Sequence, residues 1–164
     1  MIALYPIDRL HVDVARQELV GWEGARERLR LPVSTAARGL GCDAASLRTP
    51  HGPHRVRVKI GAGCPQGAIL RGRRWTGEVL DEVLRQRFPQ TDWVLTRALW
   101  LQGLAPGVNR GAGVDSLRRF VYIHGTHEED LVGRPVSFGC VRMRNADIAV
   151  LFDQVPTGCR VEIA

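Results

Sequence analysis

Among four cysteines in 164 residues, Cys140 stands apart, in the run RPVSFGCVRMRN (134–145), directly after Gly139 and just ahead of Arg142 and Arg144. A cysteine kept for packing sits among apolar neighbours with its thiol neutral and inert. Small and polar residues surround this one, which suits a nucleophile. A cysteine nucleophile needs a base within reach, and His124, closing the apolar run FVYIHGT, is the candidate. Together they could attack an acyl carbon. The flanking glycines fit the same chemistry. Near Gly125 a backbone carbonyl can take the Nδ1 proton and turn Nε2 toward the sulfur. Gly139 lets an acyl group approach closely, and the N–H groups of Gly139 and Cys140 could cradle an oxyanion. Taken alone, the pair also fits a hydrogen-bonded structural histidine beside an unrelated thiol.

The elements that must position these groups read as mostly extended. LHVDVA alternates through Leu10, Val12 and Val14, and RLRLPVS through Leu29, Leu31 and Val33, with WEGA expected as the turn between two antiparallel strands. HRVRVKI alternates again, and DWVLTRALWLQG and RFVYIHG are β-rich runs closed by glycine. Helical signals are few. GEVLDEVLRQRF carries Val79, Val83 and Leu84, and NADIAVLFDQV carries Ile148, Leu151 and Phe152, with Asn145 as its expected N-cap. With 18 glycines and 9 prolines between the runs, the expectation is a mainly β, sandwich-like or barrel-like single domain over 1–164 with a few short helices.

Composition narrows the function classes. The hydrophobic fraction of 45% and mean hydropathy of -0.11 are those of a globular domain, and no apolar run has the ~18 residues of a membrane helix. Asp8, Arg9, His11 and Asp13 interrupt the opening segment, so no secretory signal is visible. The expected location is cytoplasmic, or periplasmic if a leader has been removed. The net charge is +6. Of its 23 basic residues only Lys59 is a lysine, and the arginines are scattered, which argues for a solvated surface rather than a nucleic-acid face. His51 and His54 in TPHGPHRV lack a cysteine pair nearby, so no metal is expected. The glycines of GAGC and NRGAGV form no phosphate loop, and no cofactor is expected. Cys42, Cys64 and Cys159 match no catalytic motif and are expected to be structural thiols.

IHGT, followed by VGRPVSFGCVRM and NADIAVLFDQVPTGCRVEI, resembles the signature of the L,D-transpeptidase (YkuD) catalytic domain. The resemblance extends upstream through LPVSTAARGLG, RTPHGPHRV and TRALWLQGLAPGVNRG. It implies a mainly β fold and a cysteine that attacks the amide before the terminal D-alanine of a peptidoglycan stem peptide, typically after the L-centre of diaminopimelate. It also implies Cys140 as nucleophile, His124 as base and the Gly125 carbonyl as its orienting group, with Ser137 and Arg142 shaping the site and Arg142 meeting a substrate carboxylate. Phe138 stands where the family often has histidine and is expected either in the core or along the substrate groove. Stem peptides or muropeptide fragments are the implied partners, and carbapenems are expected to form a covalent adduct. Water as acceptor would make an L,D-carboxypeptidase of recycling; a second stem peptide would make 3→3 cross-links.

Overall fold

The computed structural model describes residues 4–164; of the opening segment, residues 1–3 lie outside it. In chain order the elements are β1 (Arg9–Asp13), β2 (Glu18–Glu23), β3 (Arg26–Pro32), β4 (Gly52–Ile60), β5 (Ala68–Arg71), β6 (Arg74–Val79), α1 (Glu82–Arg87), β7 (Leu95–Gly103), β8 (Tyr122–Gly125), a 3-10 turn (Glu129–Leu131), β9 (Val141–Met143), α2 (Asn145–Gln154) and β10 (Arg160–Ile163). The fold is mainly β with two short helices, as its alternating runs predict.

The strands form one branched sheet ordered β3-β2-β1-β10-β4-β7-β5-β6, with β8 paired to β7 and β9 paired to β8. Two pairings, β1 with β10 and β8 with β9, are parallel, whereas within the first third β1, β2 and β3 pair antiparallel. The turn expected in WEGA falls on its last two residues, Gly24–Ala25, but it joins β2 to β3, because Trp22 and Glu23 belong to β2, an unexpected strand that a first reversal at Val14–Gln17 sets between β1 and β3. Both helices also start differently from expectation. Val79 ends a strand, and α1 opens behind Asp81, whose carboxylate accepts the Leu84 N–H at 2.8 Å. Arg144 is the N-cap of α2, while Asn145 is its first helical residue and turns its side chain inward.

What positions the site is the two-residue alternation of β7, β8 and β9. Leu99, Leu101, Ile123, Val141 and Met143 point to one side and join Ile148, Leu151 and Phe152 of α2 in the main core. Ala98, Trp100, Tyr122, His124 and Arg142 therefore share the opposite face, aligned by the register Ala98↔His124↔Arg142 and Trp100↔Tyr122. A one-residue slip would exchange the two sets. Each large aliphatic side chain so lost from the core would cost about 1.5–3 kcal/mol, which fixes the register and with it the site.

Candidate active site

Cys140 sits immediately before β9, half-buried, on the face that carries Tyr122 and His124. Its Sγ receives the Tyr122 N–H at 3.4 Å and faces the Phe120 carbonyl at 3.5 Å. His124 is fully buried, its Nδ1 lies 2.7 Å from the Gly125 carbonyl, and its Nε2 has no hydrogen-bond partner among the described residues. Because a carbonyl can only accept, Nδ1 carries the proton and Nε2 is left as a free acceptor. The thiol is outside hydrogen-bond reach of Nε2 in this arrangement.

Both groups are anchored from behind. At Gly125 a Cβ would collide with the Asn145 side chain and with the Leu95 carbonyl at 2.6 Å, so glycine is required there. Asn145 in turn donates to the Thr126 carbonyl at 2.8 Å and accepts from Thr96 at 2.6 Å, across an irregularity in β7 where Thr96 takes φ +72°. The cysteine turn is held from the other side by the segment 33–49. Ser34 exchanges backbone hydrogen bonds with Arg142, and Thr49 Oγ1 donates to the Gly139 carbonyl at 3.0 Å. Gly139 has φ +133°, and a Cβ there would meet the Arg48 carbonyl at 3.2 Å.

Burial sets the protonation states. Loss of hydration pushes the Cys140 thiol up to about 11; the Asp92 carboxylate adds to this, while the Tyr122 N–H, Arg142 and Arg119 pull against it. Burial likewise lowers His124, against the raising influence of Asp92 and the Gly125 carbonyl. At neutral pH the pair is therefore a neutral thiol beside a neutral imidazole, with the tautomer of a general base.

The L,D-transpeptidase catalytic domain model matches residues 7–163. The chain belongs to this family. Among curated relatives, it is 53% identical over 45 residues to the probable L,D-transpeptidase ErfK/SrfK of Salmonella typhimurium, a match covering 27% of this chain and 15% of that protein. Among solved structures, a complex of LdtMt1 with imipenem aligns at TM-score 0.55 and 16% identity, covering 94% of this chain and 57% of the other. L,D-transpeptidase 3 from Mycobacterium tuberculosis, in complex with a faropenem-derived adduct, aligns at 0.57 and 14%, covering 94% and 58%. The chain thus spans little more than half of these solved transpeptidases and matches a small part of that curated one.

Within this L,D-transpeptidase domain several residues stand elsewhere than their motif suggests. Arg142 is 2% exposed and pairs with Asp92 at 2.9 Å and Glu128 at 3.9 Å, so its guanidinium is neutralised from inside the protein rather than offered to a substrate carboxylate. The Gly139 N–H donates to Ser137 Oγ at 3.2 Å, which removes it from the expected oxyanion pair and leaves the Cys140 N–H. Ser137 also donates to the Cys140 carbonyl at 2.6 Å, clamping the turn. Phe138 is outside the core, 59% exposed, with the Arg142 guanidinium 5.4 Å from its ring centre. His54 is closed to metals: its two nitrogens face the Gly52 carbonyl at 3.0 Å and Ser116 Oγ at 2.9 Å. Asp92, Tyr122, Thr49 and Thr96 gave no signal in sequence, since each acquires its part only through contacts with distant segments.

Proposed function

We propose that this domain uses Cys140 and His124 to cleave the L,D amide before the terminal D-alanine of peptidoglycan tetrapeptide stems, with water as acyl acceptor. The observation that supports it is the unpartnered Nε2 of a Nδ1–H imidazole, on the same sheet face as a half-buried thiol. On rotation of its side chain the thiol passes its proton to Nε2 as sulfur bonds to the carbonyl carbon. The Cys140 N–H is the backbone donor left for the developing oxyanion. Collapse breaks the C–N bond, and His124 returns the proton to the departing D-alanine amine, leaving a thioester. Water, deprotonated by Nε2, then attacks, and the sulfur leaves with that proton. The tripeptide and the free enzyme remain.

The choice of water rests on Phe138, which stands exposed two residues before the thiol, where a second stem peptide would have to approach. The second reading, 3→3 transpeptidation, is favoured by the transpeptidase names of the relatives. Purified protein given a disaccharide tetrapeptide separates the two: tripeptide and free D-alanine are expected, and linked dimers as the main product would replace hydrolysis with transpeptidation. The β-lactam complexes of the structural neighbours support a further expectation, a stable imipenem adduct on Cys140 seen by peptide mass spectrometry.

A further inference from the structure

A peptide ending in D-alanine brings carboxylates close to the scissile bond, and pairing with Asp92 and Glu128 takes the Arg142 guanidinium away from them. The nearest alternatives are committed elsewhere. Arg119 reaches the carbonyls of Gly41, Cys42 and Arg48 at 3.3, 3.2 and 2.6 Å. The β5–β6 hairpin differs. Its turn, Gly72–Arg73, takes φ of +58° and +65°, between the paired Arg71 and Arg74. Tight hairpin turns with two such residues prefer glycine or asparagine at the second position, and another residue there costs roughly 1–2 kcal/mol. An arginine placed against that preference marks a side chain with a task.

The guanidinium of Arg73 lies 5.4 Å from the ring centre of Trp100 and 5.6 Å from that of Phe120, which stack at 5.7 Å, and Tyr122 packs edge-on to Trp100. This aromatic shelf abuts the thiol, since Phe120 and Tyr122 supply the two backbone groups touching Sγ. Arg71, Arg73 and Tyr122 line a cavity of about 240 Å³. Neither arginine forms an ion pair or a side-chain hydrogen bond among the described residues. An exposed guanidinium resting on an aromatic platform, with its donors free of protein partners, suits a carboxylate.

We infer that Arg73, aided by Arg71, is the carboxylate-recognition element of this site, selecting peptides with a free carboxylate within a residue of the scissile carbonyl. The inference deepens the assignment of Cys140 as nucleophile and rests on it for the peptide, though not for the charge it places on the shelf of Trp100, Phe120 and Tyr122. Two carboxylates meet the description, that of the terminal D-residue and that on the side chain of diaminopimelate.

The test has two readouts. Alkylation of Cys140 by iodoacetate and by iodoacetamide, followed on its own peptide by mass spectrometry, reports local charge without any substrate. The rate ratio of anionic to neutral reagent is expected to fall about threefold to tenfold in Arg73→Gln and further in Arg71→Gln/Arg73→Gln. With a tetrapeptide, Arg73→Gln is expected to raise KM about tenfold with kcat within twofold, and Arg73→Lys to recover part of the loss. A C-terminally amidated peptide and one with lysine for diaminopimelate identify the carboxylate: the parent loses affinity for the peptide lacking it, and Arg73→Gln loses no more. An unchanged alkylation ratio, or equal losses by parent and variant on every peptide, overturns the inference. A parent that cleaves no tetrapeptide overturns the peptidase reading instead, and the alkylation ratio then decides the charge alone.

Discussion

Replacing Arg142 by methionine separates a buried counter-ion from a substrate clamp. Its guanidinium is 2% exposed, whereas Asp92 and Glu128 are 32% and 36% exposed. Breaking a buried ion pair costs ~3–5 kcal/mol; because water can reach the carboxylates left behind, about 3 kcal/mol is the better figure here. For a domain of this size that is a fall in Tm of roughly 6–12 °C, measured by circular dichroism at pH 7. The chemistry should move in a definite direction as well. Arg142 lowers both the thiol and the imidazole, so its loss leaves Asp92 opposed at the thiol only by Arg119 and the Tyr122 N–H, raises Cys140 further and slows its alkylation. Asp92→Asn removes the opposing charge and should speed alkylation. D-alanine release by Arg142→Met should fall in kcat with KM within about threefold. An unchanged Tm with KM raised tenfold and kcat retained would return Arg142 to the substrate and refute the buried-pair argument.

Cys140→Ala should abolish turnover with little change in Tm, while Cys42→Ala and Cys64→Ala keep activity; D-alanine release by Cys140→Ala at parental rates would end its assignment as nucleophile. Gly139→Ala, forced to φ +133° against the Arg48 carbonyl, should cost about 1–3 kcal/mol and, by displacing the thiol, about a hundredfold in rate, checked by denaturant unfolding and kinetics. His54 is lowered from 6.5 to about 4, by burial above all. Its folded pKa lies below the unfolded one, so its contribution of about 3 kcal/mol is complete above pH 6.5 and is lost as pH falls toward 4. His54→Gln should flatten the stability profile across that window, and an unaltered slope would contradict the assignment. Lys59 donates to the Phe152 and Val155 carbonyls at 2.6 and 2.7 Å, closing the end of α2. Lys59→Met should therefore cost about 1–2 kcal/mol, read from the urea midpoint.

The parts of the fold legible in sequence are those whose burial follows local period. β4, β7 and β8 alternate, and α2 sets Ile148, Leu151 and Phe152 on one side. β6 is exposed along its whole length, so it has no buried face to leave an alternating trace, and Val79 read as helical instead. β2 went unread because Gly21 and the irregularity at Gly21/Trp22 blur its alternation. At the proposed site, local composition was enough to single out Cys140 and His124 as candidates, and the structure places both on one sheet face. The fate of Arg142 was not legible. An arginine beside a candidate nucleophile reads as substrate-facing until the fold brings Asp92, distant in sequence, against it. Asn145 misled for a related reason: its type suits an N-cap, but Thr96 and Thr126 compete for its amide and win.

The resting state explains why so much of the molecule is spent on orientation. A thiolate held beside an imidazolium needs little alignment, because its charge is already formed. Here burial pushes the thiol up to about 11 and lowers the imidazole, so in the proposed reaction the nucleophile would be made only as its proton leaves, and the rate would depend on where Nε2 stands at that moment. An acceptor buried without a partner costs about 1–3 kcal/mol. The protein tolerates that cost at Nε2 and fixes Nδ1–H through a carbonyl whose own residue is crowded by Asn145 and Leu95. Crowding at Gly125 prevents the strand end from turning, and the fixed carbonyl prevents the proton from moving to the other nitrogen. The β7 irregularity, the first residue of α2 and the glycine after the histidine thus act on one atom, keeping its lone pair free on the face that carries the thiol.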